Sequence, residues 1–361
     1  LMRIAINGFG RVGRHITRAL IGQTVQAHND LKLIAVNDLA PIEHSAHLLK
    51  YDSIYGQFHE PISIRGDEIM VGDKSIRYFC DPDPRKASWG ELDIDLVLEC
   101  TGCFASGEKS SSHLDAGASR VLISQPASGV DKTIVFGVNH ETLSDSDLII
   151  SNASCTTNCL APLAKVINDN FEITEGLMIT THAYTNDQIL LDVDHSDLYR
   201  ARSAALSMIP TKTGAAAAVA DVLPELQGKL DGMAIRVPTP TVSLLDFTFL
   251  TKRSFEISQL NEVLTEASKT NLRNVLEVNN IPLVSADFRA NMASCIYDKT
   301  HTRKTDSATK VLAWYDNEWA FSIRMLDVAL YIKKNLASTN FASSKINISD
   351  KDLSGPFIKI Q

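Results

Sequence analysis

Short apolar runs that do not alternate strictly with polar residues recur through the first part of the chain. Arg3–Asn7, Leu31–Val36, Leu96–Glu99, Val121–Ser124, Thr133–Phe136 and Leu148–Ser151 are rich in Ile, Val and Leu. Strands that are apolar on both sides fit a parallel sheet covered by helices on both faces. Between the first two runs, Val12, Ile16, Ala19 and Leu20 fall at helical spacing, which completes a βαβ unit. The pattern predicts an N-terminal doubly wound (Rossmann) parallel sheet. After about residue 155 it changes: Met233–Pro238 and Val242–Lys252 read as longer, partly alternating strands, and Ile257–Leu272 and Phe321–Leu336 have helical spacing. This predicts an α+β second domain built on a mixed, mostly antiparallel sheet. The residues from Ala337 to Gln361 are rich in Ser, Asn, Lys and Asp and read as a surface extension, and no internal repeat is visible.

The apolar run Leu148–Ile150 leads directly into Ser151-Asn-Ala-Ser-Cys155-Thr-Thr-Asn-Cys159, and helical spacing follows at Leu160, Leu163, Ala164 and Ile167. Cys155 is therefore expected at the junction of a strand and a helix. Unpaired N–H groups and the positive end of the helix dipole favour a thiolate there. A buried apolar thiol is the alternative, but Ser154, Thr156 and Thr157 suit an anion better than a core. Cys155 is the candidate nucleophile.

Asn7-Gly8-Phe-Gly10-Arg11-Val12-Gly13 carries a G-x-G-x-x-G pattern after a predicted strand and at the opening of a predicted helix. Gly8 allows the tight turn, Gly10 lets the backbone approach a pyrophosphate, and Gly13 lets helix and strand pack closely. Asp38 ends the second strand, where its carboxylate suits the hydroxyls of an adenosine ribose. The pattern points to a dinucleotide cofactor.

A nucleophilic thiol needs a base. Ten histidines are available, and the sequence does not say which one approaches Cys155. His182 is the leading candidate, because it ends the apolar strand Leu177–Thr181 and opens a polar stretch. The Thr211-Lys-Thr213-Gly214 turn and Arg236 add hydroxyl, N–H and guanidinium donors of the kind that bind phosphate oxygens.

With 361 residues the chain is long enough for about two domains. A net charge of −8 argues against nucleic acid or an acidic membrane as partner. No apolar run is long enough to span a bilayer, and no basic-then-apolar leader is visible, so a cytoplasmic location is expected. Six cysteines are too sparse for a disulfide framework. Cys100-x-x-Cys103 has no second pair at ligand spacing, so no metal is expected.

Taken together, the chain resembles the phosphorylating glyceraldehyde-3-phosphate dehydrogenases of bacterial type. The resemblance runs from Ile4-Ala-Ile-Asn-Gly-Phe-Gly-Arg11 to Asn317-Glu-Trp319. It is most specific at Ala153–Pro162, Thr181-His-Ala-Tyr-Thr185 and Arg236-Val-Pro-Thr-Pro240. It implies an NAD-binding Rossmann domain over 1–154 completed by a C-terminal helix at about 320–337, a catalytic domain over 155–319, an extension over 338–361, and a homotetramer. The implied substrates are glyceraldehyde 3-phosphate and inorganic phosphate. The implied roles are nucleophile for Cys155 and base for His182, with Thr185 and Arg236 on the substrate's phosphate. Ser154, Thr156, Arg200, Thr213 and Gly214 fall on or beside the attacking phosphate. Asn317 anchors the nicotinamide amide, Ser124 lies beside its ring, and Arg11 and Val12 present backbone to the pyrophosphate. Four positions depart from the family's usual residues: Pro82, Asp194, Ala320 and Tyr55, the last in place of a frequent histidine. An erythrose-4-phosphate dehydrogenase is the related alternative, and Thr185, three residues after His182, favours the triose. An inactive relative acting as a binding protein is the other, and retention of Cys155, His182, Arg236 and the glycine loop argues against it.

Overall fold

A computed structural model describes residues 1–336 apart from 23 and 25. The extension expected over 338–361 lies outside the described residues.

The first sheet has nine strands. Their order is Lys132–Thr133, Ile149–Ser151, Arg120–Ile123, Leu96–Glu99, Met2–Asn7, Leu31–Asn37, Lys74–Phe79, Glu68–Val71, Ile62–Arg65. Neighbours are parallel as far as Lys74–Phe79, and the last two pairings are antiparallel. The run expected as a strand at Thr133–Phe136 pairs only at Lys132–Thr133. Asn139 Oδ1 takes the Val135 amide at 2.8 Å, and the chain turns away. The three strands between 62 and 79 were not anticipated. They form a hairpin-linked edge in which one face is open, so they lack the doubly apolar signature of the central strands.

Helices Arg11–Ile21 and Trp319–Asn335 pack against each other on one face of this sheet. Ile16, Ile323, Leu326 and Val328 share a core there with Ile4 and Ile6. Trp89, Ile94 and Ala118 cover Ala5, Ala35 and Val97 in a separate cluster. Ile4 and Ala5, adjacent on one strand, are both fully buried but in different clusters, which shows why both faces had to be apolar.

The second sheet has seven strands, ordered Ile209–Lys212, Leu230–Val237, Ile173–Ala183, Ser243–Thr251, Ala308–Tyr315, Cys295–Lys304, Leu276–Asn279. It is mixed and mostly antiparallel; Ile173–Ala183 with Leu230–Val237, and Cys295–Lys304 with Leu276–Asn279, are its parallel pairs. Helices Cys155–Phe171 and Ile257–Lys269 cover one face. On the other face Leu177 is 66% exposed and Ile179 and Met233 are also open. Thr211 and Lys212 end a strand here instead of forming a turn. His182 is the penultimate residue of a strand that reaches Ala183. Among the described residues no helix is long and apolar enough to cross a membrane.

Candidate active site

The glycine loop leaves the Met2–Asn7 strand at the carboxyl edge of the parallel sheet. Gly8 has φ +93°, and a Cβ there would lie 2.5 Å from the Thr101 nitrogen; a Cβ on Gly13 would lie 2.3 Å from the Gly8 carbonyl oxygen. These two positions are closed to any side chain. Gly10 is different, because a Cβ there would meet nothing within 4 Å. It caps helix Arg11–Ile21, which has neither a side-chain cap nor an acidic residue in its first turn. The open face and the uncapped N–H groups form a cradle that fits a pyrophosphate. Asp38 Oδ2 accepts the Phe9 amide at 2.5 Å and Oδ1 accepts the Ala40 amide at 2.9 Å, which fixes the carboxylate beside the loop. The Arg11 side chain is committed elsewhere, to Asp52 and to Glu318, leaving its backbone at the helix start.

The sulfur side begins at another strand end. Ala153 adopts φ 55°, a left-handed conformation that costs an alanine on the order of 1 kcal/mol. It turns the chain from strand Ile149–Ser151 into helix Cys155–Phe171. The turn is held by Ser151 Oγ, which accepts the Ala153 amide at 3.1 Å and donates to the Gln125 carbonyl at 2.8 Å. Asn158 Nδ2 donates to the carbonyls of Asn152 and Ser154 at 2.8 and 3.0 Å. Ser154 is the N-cap, accepting the Thr157 amide at 3.0 Å. Cys155 is thus the first residue of the helix, as its sequence position implied.

Cys155 Sγ lies 3.5 Å from His182 Nε2. His182 Nδ1 is 2.6 Å from the Ala183 carbonyl oxygen, which can only accept. Nδ1 therefore carries the hydrogen, and Nε2 presents its lone pair to the thiol. Arg236 Nη1 donates to the same carbonyl at 3.1 Å and sits 2.9 Å from Nδ1, where it repels a second proton on the ring. Burial, reinforced by Arg236, pushes His182 down to about 3. Burial also pushes the Cys155 thiol above the ordinary cysteine value, against the pull of Arg236 and of Thr156. Loss of water thus opposes the helix start, Arg236 and Thr156 at this sulfur. Sulfur and imidazole are in contact, with the Nε2 lone pair facing the thiol. Cys159, one turn on, is wholly buried, and burial together with Cys295 raises it well above the ordinary cysteine value.

A cleft of about 980 Å³ joins the two sides. Gly10, Arg11, Val12, Ser124 and Asn317 line it on one side, and Cys155, His182, Thr185 and Arg236 on the other. Gly8, Gly13 and Asp38 shape the loop from behind. Arg236 Nε is buried without a partner, and among the described residues no carboxylate pairs with this guanidinium, so it is electrostatically free for an anion. Five expected phosphate residues do not line the cleft. Thr156 gives its hydroxyl to the core, 2.8 Å from the Tyr315 hydroxyl, so only its backbone N–H remains for an anion. Arg200 is held by Asp187 and by Asp197 at 3.3 Å. Thr213 accepts the Ala215 amide at 3.2 Å, Gly214 is exposed, and Ser154 is occupied as a cap.

Some residues that shape the site were not anticipated. Tyr315 is buried beneath Cys155, its hydroxyl 2.8 Å from Thr156 Oγ1 and 2.7 Å from Thr180 Oγ1. Alternation in strand Ala308–Tyr315 turns it inward with Val311 and Ala313, and a buried phenol needs such partners. Glu99, a carboxylate closing a wholly apolar strand, accepts from Asn7 Nδ2 at 2.6 Å, the Thr101 amide at 2.7 Å and His113 Nε2 at 2.9 Å. That network fixes both chain segments that meet at Gly8. Asp187 lines the cleft and is paired to Arg200.

Comparison with known proteins bears on what this cleft does. Residues 2–107 match the glyceraldehyde 3-phosphate dehydrogenase NAD binding domain, and residues 154–317 match the C-terminal domain of the same enzymes. The chain is 50% identical over 330 residues to the plasmid-encoded glyceraldehyde-3-phosphate dehydrogenase of Cupriavidus necator, covering 91% of this chain and 98% of that one. It is 51% identical over 329 residues to the glyceraldehyde-3-phosphate dehydrogenase of Pseudomonas aeruginosa, covering 91% and 97%. With that of Mycolicibacterium smegmatis the identity is 47% over 338 residues, covering 93% and 99%.

Proposed function

The chain belongs to the glyceraldehyde 3-phosphate dehydrogenase family, and on that premise we propose that its cleft oxidises D-glyceraldehyde 3-phosphate with NAD and inorganic phosphate to 1,3-bisphosphoglycerate. The observation that carries this reading is the Cys155–His182 pair, 3.5 Å apart, beside an unpaired guanidinium and facing a glycine-loop helix start.

Cys155 Sγ attacks the aldehyde carbon while its proton passes to His182 Nε2. The oxyanion that forms is met by the Cys155 backbone N–H and by the protonated ring, which returns the proton to give a thiohemiacetal. His182, neutral again, then takes the hydroxyl proton as that carbon is oxidised. When bound, NAD supplies the acceptor for the hydride leaving the carbon. Inorganic phosphate attacks the Cys155 thioester, and the sulfur leaves and recovers its proton from His182. Nε2, 3.5 Å from the sulfur, is placed to take and return the proton at each stage.

In this reading Thr185 and Arg236 hold the substrate's phosphate. Ser154, the Thr156 N–H, Thr213, Gly214 and Arg200 receive the attacking phosphate, with Arg200 exchanging Asp187 for the anion. Gly8, Gly10, Arg11, Val12 and Gly13 hold the pyrophosphate of NAD, Asp38 the adenosine ribose, and Ser124 and Asn317 the nicotinamide end. Residues 1–154 with the final helix form the NAD domain, and 155–319 the catalytic domain. Homotetramer formation is supported by the apolar outer face of the second sheet and by the exposed Leu190, Leu191, Leu198 and Leu206 of the preceding loop, the last 83% open. Six free thiols accord with a cytoplasmic location.

The test is NAD reduction with glyceraldehyde 3-phosphate, with and without inorganic phosphate, and with erythrose 4-phosphate as competitor. Turnover that ignores phosphate rejects the thioester route, and equal efficiency on both sugars rejects the triose.

A further inference from the structure

Tyr55 stands at a place the reaction does not use. Its hydroxyl lies 2.7 Å from Asp316 Oδ1 and 3.1 Å from Thr241 Oγ1, so it donates to the carboxylate and is free to accept from the threonine. Asp316 is almost wholly buried and adjoins Asn317. Its Oδ1 also accepts the amides of Glu318 and Trp319, at 3.1 and 2.9 Å, and Oδ2 accepts the Ala290 amide at 2.8 Å. One carboxylate therefore shapes the whole turn that carries Asn317. Tyr55 is the side-chain donor that approaches it most closely.

The same short turn grips that segment a second time. Asp52 Oδ1 accepts the amides of Ile54 and Tyr55, at 2.9 and 3.0 Å, which makes residues 52–55 a tight unit. Asp52 holds Arg11 at the start of the glycine-loop helix, and Arg11 in turn holds Glu318. The Tyr55 ring lies 5.8 Å from the Arg11 guanidinium and packs edge-on to His15 at 4.6 Å. Residues 52–55 thus touch the glycine-loop helix at both ends, through Asp52 and Tyr55, and the Asn317 turn directly through Tyr55 and indirectly through Arg11. On the far side, Thr241 precedes Val242, a β-branched residue at φ 65° that persists only because its surroundings dictate it. Tyr55 is among those surroundings through Thr241.

We propose that Tyr55 is a positioning residue that sets Asn317 toward the nicotinamide carboxamide, by fixing the Asp316 carboxylate against the glycine-loop helix. The proposal rests on the assignment of Asn317 to that carboxamide. It also gives a physical account of one of the four departures from the family's usual residues, the tyrosine in place of a frequent histidine.

The test compares two ligands, NAD and ADP-ribose, which lacks the nicotinamide, by calorimetry on the full-length protein. Wild type is compared with Tyr55→Phe and Tyr55→His, with melting temperatures recorded. Tyr55→Phe is expected to weaken NAD about tenfold, the worth of one buried hydrogen bond to a charged group, while ADP-ribose changes less than about twofold. Tyr55→His, which keeps an N–H donor, is expected to recover most of the loss. Acylation of Cys155 at saturating NAD is expected to stay near the wild-type rate, so the effect resides in KM. Equal weakening of both ligands, or no weakening of either, overturns the positioning role. A Tyr55→Phe protein that does not fold leaves Tyr55→His to decide, and equal weakening of both ligands in that variant overturns the role too. A wild-type protein that itself binds NAD no better than ADP-ribose removes the role of Asn317, and is thereby distinguished from failure of Tyr55.

Discussion

The two sides of the cleft are built on opposite principles. On the nucleotide side the working groups are backbone, and what matters is the absence of side chains: Gly8 and Gly13 have no room for a Cβ, and Gly10 leaves its space to the ligand. On the sulfur side the working groups are the side chains of Cys155, His182 and Arg236, brought together from a helix start and two parallel neighbouring strands. The first side is damaged by adding atoms and the second by removing them. The first is also local in sequence, whereas the second is assembled across distance.

The largest expected effect tests the sulfur side at its centre. Cys155→Ser should lower turnover by about four powers of ten or more, as loss of a nucleophile does. Cys159→Ala should stay within a few-fold of wild type, because that thiol is buried in the core. Mass-spectrometric mapping of iodoacetamide labelling checks the assignment, and preferential labelling of Cys159 defeats it. His182→Asn comes next: single-turnover acylation should slow by about a hundredfold or more while NAD affinity holds, since no part of the ring belongs to the nucleotide side. Unchanged burst kinetics would contradict the tautomer read from Ala183.

Arg236→Leu should raise the Michaelis constant for the triose phosphate by roughly 10- to 150-fold, the worth of a charge-assisted contact of about 1.5 to 3 kcal/mol. An equal loss on a non-phosphorylated aldehyde would show that Arg236 acts through His182 alone.

Asp38→Asn probes the acidic side chain assigned to the adenosine ribose on the nucleotide side. It keeps the size and removes the charge, and turns one of the two oxygens that accept the Phe9 and Ala40 amides into a donor. A 2′-phosphate about 5 Å away would be repelled by roughly 3 kcal/mol at an effective dielectric near 20, and partial exposure of Asp38 lowers this. The preference for NAD over NADP should therefore fall by about tenfold or more, measured as a ratio of kcat/KM values. A ratio that does not move would assign the discrimination to another residue.

The smallest effect is on stability. His182 sits at about 3 in the folded protein because burial and Arg236 disfavour its charge, whereas an unfolded histidine titrates near 6.5. Between those values the unfolded chain binds a proton that the folded chain refuses. The contribution is intact above about pH 6.5 and is lost as the pH falls toward 3, by up to about 1.4 kcal/mol per pH unit. Denaturation midpoints from pH 7 to 5 should fall less steeply for His182→Asn than for wild type. Parallel slopes would mean that the ring is charged in the native state.

This contrast also explains what could be read in advance. The glycine loop, Asp38 and the Cys155 helix start were legible because each depends on residues a few positions apart or on one strand-to-helix junction. Cys155 with His182 was a choice among ten histidines until the structure brought them together. The pairs that position the site were beyond reach: Thr156 and Tyr315 are 159 positions apart, Tyr55 and Asp316 are 261 apart, and Arg11 and Glu318 are 307 apart. No periodicity encodes such pairs. The edge strands of residues 62–79 were missed for a different reason, since a half-open hairpin does not carry the pattern of a buried parallel strand.

The packing of helix Trp319–Asn335 against helix Arg11–Ile21 places the start of the chain in the keeping of its end. On a ribosome, the nine-stranded sheet emerges first, its last strand ending at Ser151, and yet lacks one of its covering layers until the chain has reached Asn335. At about 5–20 residues per second that delay is on the order of tens of seconds. The seven-stranded sheet, contiguous between Ile173 and Tyr315, has its strands complete before the last helix appears. The order of maturation is thus the reverse of the order of synthesis, and the half that emerges first is the half with exposed apolar surface for a chaperone to hold.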